Sequence, residues 1–74
     1  MWLVVYDLPH SPASARRNFY NHLKAYIQKN TPRFRRRTRS VIETEDRAFA
    51  DFVCKEVRKA GGKAFIYKVQ VSHV

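Results

Sequence analysis

The chain is poor in glycine. Its 74 residues hold two, Gly61 and Gly62, side by side, so no glycine-rich loop is available to cradle a phosphate with backbone amides. A single cysteine, Cys54, excludes an internal disulfide framework and suits a reducing compartment. Acids are scarce, six against 15 lysines and arginines. The histidines His10, His22 and His73 show no metal-ligand spacing. Ser14 and Ser40 belong to no Ser-His-Asp pattern, which removes a hydrolase triad. No apolar run approaches about 18 residues, so no membrane span is expected. The first apolar run lacks the basic flank of a secretory signal. These absences together predict a cytoplasmic protein.

What is abundant is positive charge, +9 overall. So large an excess predicts an anionic partner, nucleic acid first and an acidic membrane surface second. The length allows one domain, residues 1–74, with a small core. A chain this small gains stability by oligomerising.

Leu3-Val4-Val5-Tyr6-Asp7-Leu8-Pro9 reads as a buried strand that delivers one carboxylate, Asp7, to its tip. Ser11-Pro12 then predicts a helix start, with serine as N-cap. Ala15, Phe19, Leu23, Tyr26 and Ile27 recur at helical spacing, and Asn30 and Pro32 stop the helix. Residues 33–44 carry no helical stripe and are expected to be extended, as one long bent strand or as two with an irregular joint. A second helix follows, capped by Thr44 or Asp46, buried along Phe49, Phe52, Val53, Val57 and Ala60, and ended by Gly61-Gly62. From Ala64 to Val74 the pattern alternates with period two, which predicts a strand with Phe65, Tyr67, Val69 and Val71 on its apolar face. Strand, helix, one or two strands, helix, strand is the order of an α+β, ferredoxin-like βαββαβ fold, with two helices on one face of an antiparallel sheet. The long last strand would extend past such a sheet and could pair with a second copy.

Two constellations bear on chemistry. An acid at a strand tip followed by Arg16 and Arg17 on the next helix resembles a phosphate-handling site. In the middle segment Arg33, Arg35, Arg37 and Arg39 would share one strand face, at about 6 to 7 Å spacing. Their guanidinium forks suit phosphate oxygens. Such contacts position a nucleic acid without reading its bases. Asp7 is a candidate ligand for Mg²⁺, which takes one or two carboxylates along with water and substrate phosphates. A two-fold dimer would bring two copies of Asp7 across one axis. The alternative is an Asp7 paired with Arg16 or Arg17, or one that closes a turn.

Val4-Val5-Tyr6-Asp7-Leu8-Pro9, then Ala15-Arg16-Arg17-Asn18-Phe19-Tyr20 and Leu23, resemble the start of the small CRISPR-associated protein of spacer acquisition, the Cas-two family, partner of the adaptation integrase. Thr38-Arg39-Ser40-Val41-Ile42-Glu43 is similar to that family's Gln-x-Ser-Val-Phe stretch, and Ala64-Phe65-Ile66-Tyr67 to its last core strand. The resemblance implies a ferredoxin-like homodimer that holds duplex DNA beside the integrase. For some members it also implies a Mg²⁺-dependent endonuclease acting on RNA or DNA. It would make Asp7 the catalytic and metal-holding acid facing its dimer mate, with Tyr6 beside it. Arg16 and Arg17 would be the helix-one arginines, and Ser40 the strand serine. Thr38 and Ile42 stand where the family carries Gln and Phe, the loop from Pro9 to Ala15 is longer, and the middle segment is more basic. A non-catalytic nucleic-acid scaffold and a related toxin ribonuclease share the fold. RNA-recognition modules share the strand order too, but stack bases on aromatics in a glycine-containing third-strand motif. Residues 33–45 have no glycine and only one aromatic, Phe34.

Overall fold

The structure, a computed structural model, describes residues 1–70. Its elements run β1 (Trp2–Asp7), α1 (Ala13–Asn30), β2 (Phe34–Thr38), β3 (Val41–Thr44), α2 (Arg47–Lys59) and β4 (Lys63–Lys68). The sheet order is β2-β3-β1-β4, with every neighbouring pair antiparallel. Two helices pack on this four-stranded sheet, the ferredoxin-like α+β arrangement expected from the element order.

β1 sits at the centre because its β-branched and aromatic residues tolerate burial between two neighbours. Val4 and Tyr6 point to the helices and are buried, with Ile42 and Thr44 of β3 beside them. α2 supplies Phe49, Ala50, Val53, Cys54 and Val57 to the same core, and α1 supplies Phe19. Each fully buried Phe, Ile or Val contributes about 1.5–3 kcal/mol. The helices meet through aromatics: Tyr26 stacks on Phe52, with ring centroids 4.2 Å apart.

The ends of the elements follow local chemistry, with one correction. Asp46 caps α2, its carboxylate accepting from the Phe49 N–H at 3.2 Å. Thr44 does not cap the helix. Its hydroxyl donates to the Arg33 carbonyl and accepts from the Asp46 N–H, tying β2 and the helix start to β3. At α1 the N-cap is Pro12 rather than Ser11, and no side chain caps that end. Pro12 takes the extended backbone of the cap position (ψ 152°), which moves Ser11 one residue too far out. Thr31 closes α1 in the left-handed region (φ 42°), its N–H donating to the Ile27 carbonyl at 2.9 Å.

Gly61 ends α2 with φ +87°, and Gly62 is required by close approach: a side chain there would run into the Asp7 carbonyl and Val57. That approach presses the tip of β1 against the end of α2 and fixes where Asp7 emerges.

Candidate nucleic-acid interface

Alternation along β1 turns Leu3, Val5 and Asp7 away from the helices. In the antiparallel register Val5 lies opposite Phe65, Leu3 opposite Tyr67 and Asp7 opposite Lys63. This corrects the expected face of the last strand. The residues of β4 turned to the helices are Ala64, which is buried, and Ile66, whereas Phe65 and Tyr67 stand on the open face, 55% and 53% exposed. The period-two pattern is real, but the covered side lies under α2, where the Cys54 thiol reaches the Ala64 carbonyl at 3.7 Å and Ala64 is 3% exposed. Val71, expected on the same apolar face, lies outside the described residues, as do Ser72, His73 and Val74.

The open face therefore carries Leu3, Val5, Phe65 and Tyr67, with Asp7 and Lys63 at one end. Asp7 is exposed and is the single acid at that strand tip. Among the described residues no group of three or more His, Cys, Asp or Glu gathers into a metal-holding cluster. Arg16 and Arg17 are exposed on α1, and among the described residues neither forms an ion pair with Asp7.

The middle segment resolves into two strands, with the joint at Arg39-Ser40. The uninterrupted four-arginine face does not form. Arg33 precedes β2 and Arg39 lies in the turn, so only Arg35 and Arg37 belong to the strand. A register shift between Arg36 and Thr38 inserts Arg37 as an extra residue. Arg35 sits opposite Glu43, and Arg37 reaches the same carboxylate, Nε to Oε1 3.1 Å. Both arginines thus edge the open face, with Glu43 holding one of them in place. Ser40 is a turn residue rather than a strand residue, yet its carbonyl accepts the Tyr6 N–H at 2.9 Å and continues the hydrogen bonding along β1.

Three features were not legible as functional in the sequence. Arg36 projects to the helix side, where its guanidinium donates to the Tyr20 hydroxyl at 3.3 Å and lies 5.6 Å from that ring's centroid. One turn further back on α1 lies Arg16, four residues before Tyr20 and on the same flank. Tyr6, buried to 4% exposure, has a hydroxyl that makes no hydrogen bond of good geometry among the described residues, although the Arg36 guanidinium lies close enough to interact with it. Burial raises its pKa above the ordinary phenol value, and the positive charge of Arg36 works in the opposite direction. Glu56, 6% exposed, is held by His22 Nδ1 at 2.8 Å and Lys59 Nζ at 3.4 Å. Its position beside Val57 on the buried stripe was the available signal, since a carboxylate there needs partners.

No protein-family model, no curated protein and no solved structure matches the chain.

Proposed function

We propose that the protein binds nucleic acid as a symmetric homodimer and works in CRISPR spacer acquisition, as the sequence resemblance implies. The observation that supports it most is the open sheet face, where exposed Val5 of β1 and Phe65 and Tyr67 of β4 form an apolar surface and the arginines of β2 stand at the opposite edge of the same sheet. Contiguous exposed aromatics of this kind mark an interaction surface. A second copy seated on that face would bury the aromatics and bring two Asp7 carboxylates toward one axis. Arg35 and Arg37 would remain at the rim, with Arg33 and Arg39 at the ends of the strand, and Arg16, Arg17 and Arg36 would add cations at the α1 edge.

The test is neutralisation of Arg35, Arg37 and Arg39 to glutamine. Duplex affinity is expected to fall about equally for all sequences. The slope of log affinity against log salt is expected to shallow by about 0.9 for each phosphate no longer neutralised. An unchanged slope would move the phosphate site away from β2.

A second reading, a metal-dependent endonuclease, draws on one observation: Asp7 is exposed at the end of that open face. One carboxylate per chain suits Mg²⁺ only when a partner's copy joins it or substrate phosphates complete the shell. The metal would lower the pKa of a bound water and neutralise phosphate charge. Asp7 would hold it, and Arg16 or Arg17 would stabilise charge developing on the phosphate. Asp7→Asn keeps the size and removes the charge. For a nuclease it abolishes Mg²⁺-dependent cleavage of labelled DNA or RNA while dimer and affinity survive. For a scaffold, neither protein cleaves.

A further inference from the structure

A second basic surface lies at the other edge of the sheet. α2 carries Arg47, Lys55, Arg58 and Lys59 along one flank, and with Ile66 of β4 as floor they line an open groove of about 680 Å³. One carboxylate, Asp51, enters it, and it is already paired with Arg47 at 3.0 Å. The lining is organised rather than a random scatter of charge. Arg58 donates to the Ala64 carbonyl at 3.1 Å, which steers its guanidinium along the groove. Lys59 is drawn toward buried Glu56 at 3.4 Å. Arg47 lies over the Trp2 ring, 4.3 Å from its centroid. Lys55 has no ion-pair partner among the described residues.

Length selects the ligand. At about 1.5 Å per residue, Arg47 and Arg58 are separated by about 16 Å along the helix. One strand of a duplex carries a phosphate per 3.4 Å of axis, so about five phosphates pass over that span. The four cations are strung along the helix rather than gathered at one point, so an extended polyanion meets all of them.

Position decides the mode. β2 and β4 are the two outer strands of the sheet. Arg35 and Arg37 edge the open face, whereas this groove opens beside α2 on the helix side. A duplex with a persistence length of about 50 nm cannot bend around the domain to reach both. We infer that the α2–β4 groove is a second duplex-phosphate site, so that each chain holds two separate nucleic-acid segments, one at each edge of its sheet. This rests on the nucleic-acid reading above and extends it from one binding surface to two.

The experiment uses the whole chain, a blunt 12-base-pair DNA duplex and the emission of Trp2, the only tryptophan. Filling the groove draws Arg47 toward phosphate and changes that emission. Wild type is expected to bind two duplexes per chain, with a Trp2 response. Lys55→Gln with Lys59→Gln is expected to leave one duplex per chain and to remove the response. Lys55→Gln alone, which leaves the Glu56 pairing intact, is expected to shallow the salt slope of the Trp2-reported step by about 0.9. Arg35→Gln with Arg37→Gln is expected to leave one duplex and keep the response. Two duplexes and an unchanged response in the Lys55/Lys59 variant would overturn the groove while sparing the nucleic-acid reading. No duplex binding by wild type would overturn both. Tripolyphosphate binding as tightly as duplex would make the groove a small-anion site and overturn the duplex assignment. A Trp2 response to phosphatidylserine vesicles but not to duplex would overturn it in favour of a membrane surface.

Discussion

At the scale of single residues, the core holds a buried side-chain oxygen that the described residues do not satisfy with a well-formed hydrogen bond. It is the hydroxyl of Tyr6, a residue whose ring packs 5.8 Å from that of Phe19. An unpaired buried hydroxyl costs about 1–3 kcal/mol, and replacing it by an apolar group of the same shape recovers part of that. Tyr6→Phe is therefore expected to stabilise the fold by about 1 kcal/mol, read as a higher urea midpoint at neutral pH. The sign of the pH dependence follows from burial, which raises the phenol's pKa in the folded state. The contribution of the neutral phenol is intact below about pH 10, the unfolded value, and is lost as pH climbs through the raised folded value. The phenylalanine variant should lack that part of the alkaline loss. A variant less stable than wild type at neutral pH would mean that the hydroxyl has a partner in solution.

At the scale of elements, the two helices end differently, and the difference is measurable. α2 has a built cap in Asp46, and Asp46→Ala should cost about 1 kcal/mol. α1 ends on a β-branched threonine at φ 42°, a conformation costing about 1–2 kcal/mol for a residue with a Cβ. Thr31→Gly removes that cost and adds glycine's extra chain entropy, for a net gain of about 0.5 kcal/mol. A change of 1 kcal/mol moves the melting midpoint by about 4–8 °C in a domain of this size, so calorimetry resolves both variants. A Thr31→Gly protein that melts lower would show that the threonine side chain makes an interaction worth more than its backbone strain. β2 shows how an element edits a sequence signal. Seven residues with alternating arginines suggest one regular charged strip, but the turn at Arg39-Ser40 and the bulge at Arg37 leave only two of those four alternating arginines, Arg35 and Arg37, within the strand.

At the scale of the whole molecule, two forces oppose each other across the open face. Leu3, Val5, Phe65 and Tyr67 favour covering by a second copy, while a charge of +9 per chain resists it. Salt screens the repulsion and also displaces protein from phosphate. Dimerisation and duplex binding should thus respond to salt with opposite signs. Light scattering after size exclusion is expected to report twice the 8.8 kDa chain at micromolar concentration, with the dimer strengthening as salt is raised through the range that screens surface charge. Phe65→Glu should return the protein to a monomer without unfolding it, since that side chain is already 55% exposed. A monomer at all salt concentrations would remove the paired Asp7 arrangement.

The order of elements, the core stripe of α2 and the scarcity of acids were all legible in the sequence, because periodicity and composition are local properties. Val4, Phe49, Val53 and Val57 had to be buried whatever their partners were. The tip position of Asp7 followed equally from the proline that ends its run. Which face of β4 is covered was not legible. Phe65 and Tyr67 alternate with Ala64 and Ile66, and both sets are apolar, so period two alone cannot choose between them. The choice fell to α2, which packs over the Ala64 side of β4 and leaves the aromatics on the open side. The same holds for charge. The sequence determined how many cations the chain has, but the strand order placed Arg35 and Arg37 at one edge and the α2 groove at the other. Separation across a sheet is set by which strands pair, and pairing is a long-range property that no window of sequence contains.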